Sequence, residues 1–387
     1  MNFATLSSPE KQKLIEPGEQ LPPRDYFLLP LISLITIIVM LASAETVSRV
    51  AWPEYSEDPC SLSAGRHKAN CSSKQKTMEG AAYVEAYNEC GYRSLAPCGP
   101  KPPGHIRIAL LGASFGLGFG VAYQQAFPAK TEQQLTMACG RQVEIQNLSA
   151  IQLQPIQIYR RVDEALALQP DLLILSINPF DAHTDYSDED MRDRDEPAAL
   201  DRKVPPMPPL KRLIRNTSDQ FTFIQVLQHF RYLDEVDYIH HFLQYGDEVD
   251  YLREPLSDAW TRRFAQLDVL LGEISDKAHE KGVPVVFISG ISRVQAGLMS
   301  EPSRPAGVDP FLFERKFAEI AARHDIVNID PDSEFSHRPN AANLFYPVNG
   351  HLTEEGNTVY EQALTRGLLS SNLAVFRGCS IARGSHQ

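Results

Sequence analysis

The chain has 387 residues, 43% of them hydrophobic and 22% charged, enough apolar side chain for a large buried core, which excludes disorder throughout. Its formal net charge is −12 and no basic run is longer than a pair. That balance excludes a phosphate-tracking nucleic-acid binder, which needs clustered Lys and Arg to displace counterions.

Residues 1–25 form a polar N-terminal tail, and residues 26–44, YFLLPLISLITIIVMLASA, carry no charge. At a rise of about 1.5 Å per residue this stretch just crosses a bilayer core of about 30 Å as a transmembrane helix. Lys11, Lys13 and Arg24 precede it, while Glu45, Glu54, Glu57 and Asp58 follow with only Arg49 among them. The cation bias keeps the tail in the cytoplasm and exports the remainder. Ala42, Ser43 and Ala44 resemble a signal-peptide cleavage site, but the polar lead is long for a signal peptide. An uncleaved single-pass anchor in the plasma (inner) membrane is expected, with the C-terminal domain periplasmic or extracellular.

All six cysteines lie beyond that segment, and an even count in an exported region suggests disulfides. Local pairing of Cys60 with Cys71 and of Cys90 with Cys98 is expected. Metal is not expected, because no CxxC pair occurs. Residues 45–104 are rich in Cys, Gly and Pro and short of apolar periodicity, which predicts a disulfide-stapled collar between membrane and domain.

The main domain is expected over 105–372. HIRIALLG predicts the first strand, a helix runs from 126 to about 138, and VEIQNLS follows as a second strand. A helix over roughly 155–168 leads into LLILSI at 172–177, a continuous apolar run typical of a strand buried on both faces. The charged, then proline-rich stretch of about 183–216 reads as an inserted surface loop. Helical spacing resumes over 218–245 and from the N-cap Ser257 to Lys281. VPVVFIS is a strand, a helix near 310–323 and the strand DIVNID follow, and a last helix covers about 353–369; residues 373–387 are a C-terminal tail. This alternation predicts an α/β domain with a mainly parallel sheet covered on both faces.

In such a sheet functional groups gather at the carboxyl ends of the strands, where GASFGLGFG at 112–120 lies. The glycine spacing is wrong for a dinucleotide-binding loop, and the second strand ends without the required acid. The GxSxG of a nucleophile elbow is met literally, yet the chain has no room for the strands that precede such an elbow. The remaining reading pairs Ser114, after the first strand, with His351, before the last helix. These two meet only above the sheet, where a nucleophile and its base belong. By itself Ser114 reads as a helix cap; His351 changes the balance.

GASFG and FYPVNGHLTEEGN resemble the first and fifth blocks of the SGNH (GDSL-like) hydrolase superfamily, and NECGYRS resembles the lead-in of its exported, membrane-anchored members. The resemblance covers about 85–370 and implies a three-layer α/β/α flavodoxin-like sandwich with no cofactor. It makes Ser114 the nucleophile and His351 the general base, with the Ser114 N–H as an oxyanion donor. Further donors are expected from a glycine whose place is held by Gln152 and from an asparagine whose place is held by Phe180, with Asn178 two residues earlier. Asn349 stands where the family has an aspartate, and Asp330 or Asp332 is an alternative acid. Ala113 replaces the aspartate of the first block. The resemblance implies an esterase or O-acyltransferase; the expected location makes O-acyl, chiefly acetyl, groups of cell-envelope or secreted carbohydrate the expected target, with envelope polysaccharide assembly proteins as expected partners. The substitutions at 349 and 180 raise the opposite reading, a catalytically inactive glycan-binding or scaffolding module. The acids of 185–196 are expected to form a solvated loop and not a calcium site, and His240 and His241 to lie on a helix surface.

Overall fold

The computed structural model describes residues 22–55, 58–195, 221–301, 304–336 and 338–380. The chain divides into two units, 1–51 and 52–387. In the first, Asp25–Ala51 is one helix of 27 residues, seven residues longer at its C-terminal end than the uncharged segment. It is long and apolar enough to cross a membrane by length and composition.

The second unit is built on a five-stranded parallel sheet. Two short antiparallel strands precede it, β1 (Ser72–Gln75) and β2 (Tyr83–Ala86). The sheet contains β3 (Ile106–Gly112), β4 (Val143–Asn147), β5 (Leu172–Ile177), β6 (Val285–Ser289) and β7 (Val327–Ile329) in the spatial order β4-β3-β5-β6-β7. In order of appearance within the sheet this is 2-1-3-4-5, the flavodoxin-like doubly wound order. Successive side chains of one strand serve opposite cores. Leu111, Leu173, Leu175 and Phe287 pack beneath the helices Pro155–Arg160, Val162–Ala167, Asp258–Glu280 and Leu312–Arg323. Ile108, Leu110, Ile174, Val286 and Ile288 pack on the other face with Phe127–Cys139 and Glu354–Ser370. Burial on both faces is why these strands read as unbroken apolar runs. The expected three-layer α/β/α sandwich is therefore the fold of this chain.

Several local expectations change. The helix expected over 155–168 is divided at Arg161. That expected over 218–245 becomes Thr222–Tyr232 and Glu235–Phe242, the second capped by Asp234 Oδ1 accepting from the Asp237 N–H at 2.9 Å; residues 218–220 lie outside the described residues. Residues 183–195 of the insertion are not simple loop, since Ser187 caps a helix, Asp188–Arg192, while 196–216 lie outside the described residues. A helix not anticipated, Arg293–Ser300, follows β6. His240 and His241 lie on the helix Glu235–Phe242, as expected.

Disulfides join Cys60 to Cys71 and Cys90 to Cys98, the two local pairs anticipated. A third, Cys139–Cys379, ties the end of the helix Phe127–Cys139 to the C-terminal segment across 240 residues. The collar does not stand apart from the α/β domain. Arg93, fully buried, donates from Nη1 to the carbonyls of Leu117 and Gly118 at 2.8 and 2.7 Å and from Nη2 to that of Val121 at 2.7 Å. It thereby holds the whole turn that follows Ser114.

Candidate active site

Ser114 follows β3 at the point where the strand order reverses, the usual place for a ligand in such a sheet. Ala113 occupies the N-cap position of the short helix Ser114–Leu117 and no side chain caps it, so the serine hydroxyl is not spent as a helix cap. Gly118 ends it at φ +79°, and a Cβ there would lie 2.4 Å from the Cβ of Ala126, so glycine is required. Asn147, at the end of β4, donates from Nδ2 to the carbonyl of Gly116 at 2.9 Å and fixes the turn from the other side.

The His351 segment comes from the loop before the last helix. The Tyr346 N–H donates to the His351 carbonyl at 2.8 Å and the Gly350 N–H to the Tyr346 carbonyl at 2.9 Å, closing a tight loop. Thr353 then caps Glu354–Ser370 through its hydroxyl and the Gly356 N–H.

These two segments bring the three residues together. His351 Nε2 lies 2.8 Å from Ser114 Oγ, and His351 Nδ1 lies 2.5 Å from Asn349 Oδ1. The same Oδ1 accepts from the His351 backbone N–H at 3.3 Å, which identifies it as the amide oxygen. An amide oxygen only accepts, so Nδ1 carries the proton and Nε2 presents its lone pair to the serine hydroxyl. Burial pushes the His351 imidazole down to about 4, against a smaller upward pull from the hydrogen bond with Asn349. The ring is thus neutral across the physiological range. Phe119 covers it, ring centroids 4.8 Å apart.

The two remaining oxyanion candidates flank Ser114 by register. Gly112 pairs with Ser176 on β5, so Ser114 and Asn178 stand level in register, each two residues past this pair. On the other side the Ala150 N–H donates to the Gly112 carbonyl at 3.2 Å, placing the turn that holds Gln152 beside β3. Gln152 has φ +59°, in the left-handed region that favours glycine. Among the described residues no acceptor pairs with the backbone N–H of Ser114 or of Gln152. Asn178 caps the helix Pro179–Ala182, its Oδ1 accepting from the Asp181 N–H at 2.9 Å while its own N–H donates to the Asp181 carboxylate at 3.1 Å. Its amide nitrogen makes no hydrogen bond within the described residues. Phe180, at the asparagine's expected place, is 48% exposed.

The alternative acids do not reach the imidazole, whose Nδ1 is occupied by Asn349. Asp330 accepts from the Asp332 N–H at 2.8 Å. Asp332 is buried with neither carboxylate oxygen hydrogen-bonded, and burial, reinforced by Glu314 and Asp330, holds it well above the usual carboxylate range. Among the described residues no group of three His, Cys, Asp or Glu is arranged to hold a metal ion.

Sequence reading missed three contributors: Arg93, Phe119 and Glu79. Glu79, in the collar, accepts at Oε2 from the Asn349 N–H at 2.8 Å and at Oε1 from the Val348 N–H at 2.9 Å. No spacing signal marks a carboxylate 270 residues from the loop it binds.

No protein-family model matches the chain, and no curated protein sequence matches it. Solved structures do. A crystal structure of TesA is 12% identical, with 68% of this chain and 98% of that one covered and a TM-score of 0.38. The lipase/acylhydrolase from Enterococcus faecalis is 13% identical, covering 69% and 97% with a TM-score of 0.38. Axe2, an acetylxylan esterase from Geobacillus stearothermophilus, is 10% identical, covering 68% and 94% with a TM-score of 0.40.

Proposed function

We propose that this chain is a serine ester hydrolase or O-acyltransferase of SGNH type. The observation that carries this reading is the continuous relay from Ser114 Oγ through both ring nitrogens of His351 to Asn349 Oδ1. Ser114 Oγ attacks the ester carbonyl while His351 Nε2 takes its proton; Nδ1 stays bonded to Asn349, which holds the tautomer. The oxyanion is received by the N–H groups of Ser114 and Gln152 with the Asn178 amide. Collapse expels the alcohol, which takes the proton from His351 and leaves an acyl-serine. Water, or a sugar hydroxyl in the transferase case, then accepts the acyl group by the reverse path. The chemistry calls for no cofactor.

The helix Asp25–Ala51 serves as an uncleaved anchor in the plasma (inner) membrane, with the catalytic unit in the periplasm or outside the cell. Three disulfides suit that oxidising compartment. Location guides the substrate assignment: an anchored exported domain meets cell-envelope and secreted polysaccharides, whose O-acetyl groups are its proposed targets and whose assembly proteins are its proposed partners. The test compares hydrolysis of p-nitrophenyl acetate and labelling by a serine-reactive fluorophosphonate between the chain and Ser114→Ala. Labelling and turnover lost in the variant support the assignment; background behaviour in both overturns it in favour of a binding or scaffolding module.

A further inference from the structure

Besides Arg93, the collar reaches the candidate site through a short segment, Thr77 to Tyr83. Its residues touch both loops that carry the relay. On the serine side, the Gly120 N–H donates to the Tyr83 hydroxyl at 3.2 Å. On the histidine side, Glu79 accepts from two consecutive backbone N–H groups, Val348 and Asn349. Gly80 lies between the two loops, where a Cβ would stand 3.1 Å from the Gly120 carbonyl oxygen and 3.3 Å from the Tyr346 hydroxyl. A side chain there would press on both loops, so the glycine eases the close passage of the segment. The Gly80 N–H is itself held by Thr77 Oγ1 at 3.0 Å.

Glu79 is the charged element of this wedge. Its side chain is 2% exposed, and His229 Nδ1 lies 2.7 Å from Oε1, so three donors converge on one buried carboxylate. A buried carboxylate persists where it is paired and hydrogen-bonded, and charge-assisted bonds to backbone N–H groups fix a loop more firmly than neutral ones. The loop so fixed is the one whose Asn349 side chain sets the tautomer and angle of His351. The relay has no carboxylate of its own.

Resting on the serine-hydrolase reading above, we propose that Glu79 is a positioning residue of the active site. The collar supplies the carboxylate that the fifth block lacks, and it acts through the backbone of Asn349, not on the imidazole directly. The collar is thereby part of the catalytic unit and not a tether.

The experiment uses the full-length protein in detergent micelles and measures kcat and KM for p-nitrophenyl acetate together with the rate of fluorophosphonate labelling. Wild-type labelling that is absent in Ser114→Ala establishes the underlying reading, and its failure there would refute that reading before Glu79 is tested. Glu79→Gln keeps the volume but presents an NH₂ to one of the two N–H donors. It is expected to lower kcat and the labelling rate by about 10- to 100-fold with KM within about threefold, and Glu79→Asp to restore part of the loss. In an Asn349→Ala background the same Glu79→Gln change is expected to cost less than about threefold, because the two act as one unit. A kcat within about threefold of wild type, or equal losses in both backgrounds, overturns the proposal. Should Glu79→Gln not accumulate as folded protein, Gly80→Ala displaces the wedge instead; about a 10-fold fall in kcat at unchanged KM supports the proposal, and unchanged kcat overturns it.

Discussion

Asn349 Oδ1 lies 2.5 Å from His351 Nδ1, so a neutral amide, not a carboxylate, orients the ring that meets Ser114. An amide fixes the tautomer as well as an acid does, but it adds no charge to offset the imidazolium that forms when the serine proton is transferred. The arrangement is geometrically complete and electrostatically weak. Asn349→Asp is expected to raise kcat/KM by up to about 10⁴-fold, the upper bound being the loss an Asp-to-Asn change causes in a serine-protease triad, where the tautomer is also disturbed. The added negative charge also raises the His351 pKa. A rate unchanged by the substitution counts against His351 as the base.

The wild-type pH profile follows from the same ring. Burial holds His351 down at about 4, so the base is neutral and competent above that value and protonated below it. The acid limb of kcat/KM is expected near pH 4, and in Asn349→Asp it moves upward, toward or beyond the ordinary imidazole value of about 6.5. Initial rates across pH 3.5–8 on a substrate that is stable in acid check both. A wild-type limb near 6.5 contradicts the site's burial.

A second depressed histidine makes a stability prediction of defined sign. His67, in the collar, is stacked on Tyr87 with ring centroids 4.0 Å apart, and burial, aided by Arg161 and Arg93 and opposed by Asp58, pushes it down to about 4. A histidine with a folded value below its unfolded one contributes stability that is full above about pH 6.5 and lost as pH falls toward 4. For a shift from 6.5 to about 4 this amounts to about 3 kcal/mol. Glu132 and Glu314, pushed up to about 7 by burial, act with the opposite sign, so the comparison must be with His67→Gln. Urea unfolding at pH 7 and pH 4.5 is expected to show a smaller acid loss in the variant by about 2–3 kcal/mol.

Much of this molecule was legible in sequence because its signals are local. The central strands β3, β5 and β6 read as largely apolar stretches since each is buried on both faces, and Ser257 marks its helix as a side-chain cap. Ser114 and His351 were found because each sits at a turn next to a recognisable strand or helix. What escaped depends on long-range closure. The Cys139–Cys379 bond, the Arg93 bonds to the serine turn and the Glu79 bonds to the histidine loop join residues that no periodicity relates. The break at Arg161 and the helix after β6 are tertiary outcomes, decided by what each segment packs against.

Gln152 occupies a left-handed conformation, φ +59°, that side chains adopt at a cost of roughly 1–2 kcal/mol. What the site uses there is the backbone N–H, and the exposed side chain is dispensable. Gln152→Gly is expected to keep kcat within about threefold and stability within about 1 kcal/mol, relief of strain offsetting the added entropy of the unfolded chain. Gln152→Val, branched at Cβ, should instead destabilise the turn by about 1–3 kcal/mol and lower kcat. Thermal melts and steady-state rates on the pair separate backbone geometry from side-chain chemistry; equal activity in both variants removes Gln152 from the oxyanion site.

Arg93 holds three consecutive features of the serine turn, the carbonyls of Leu117, Gly118 and Val121, from a fully buried position. The end of the short helix carrying Ser114 is thus neutralised by a planar donor, and a flexible ammonium cannot reproduce that fork. Arg93→Met leaves three buried carbonyls unpaired and the nearby Glu85 carboxylate, 3.8 Å away, without its cation. Losing one partner of a buried pair costs about 3–5 kcal/mol, so the variant is expected to unfold at markedly lower urea. Arg93→Lys keeps the charge but satisfies fewer acceptors; it should retain the fold and label more slowly with fluorophosphonate, by about 10-fold, because the serine turn is no longer fixed in register with His351. If Arg93→Lys labels at the wild-type rate while Arg93→Met is merely unstable, the arginine serves the fold alone and the collar's claim on the active site rests on Glu79.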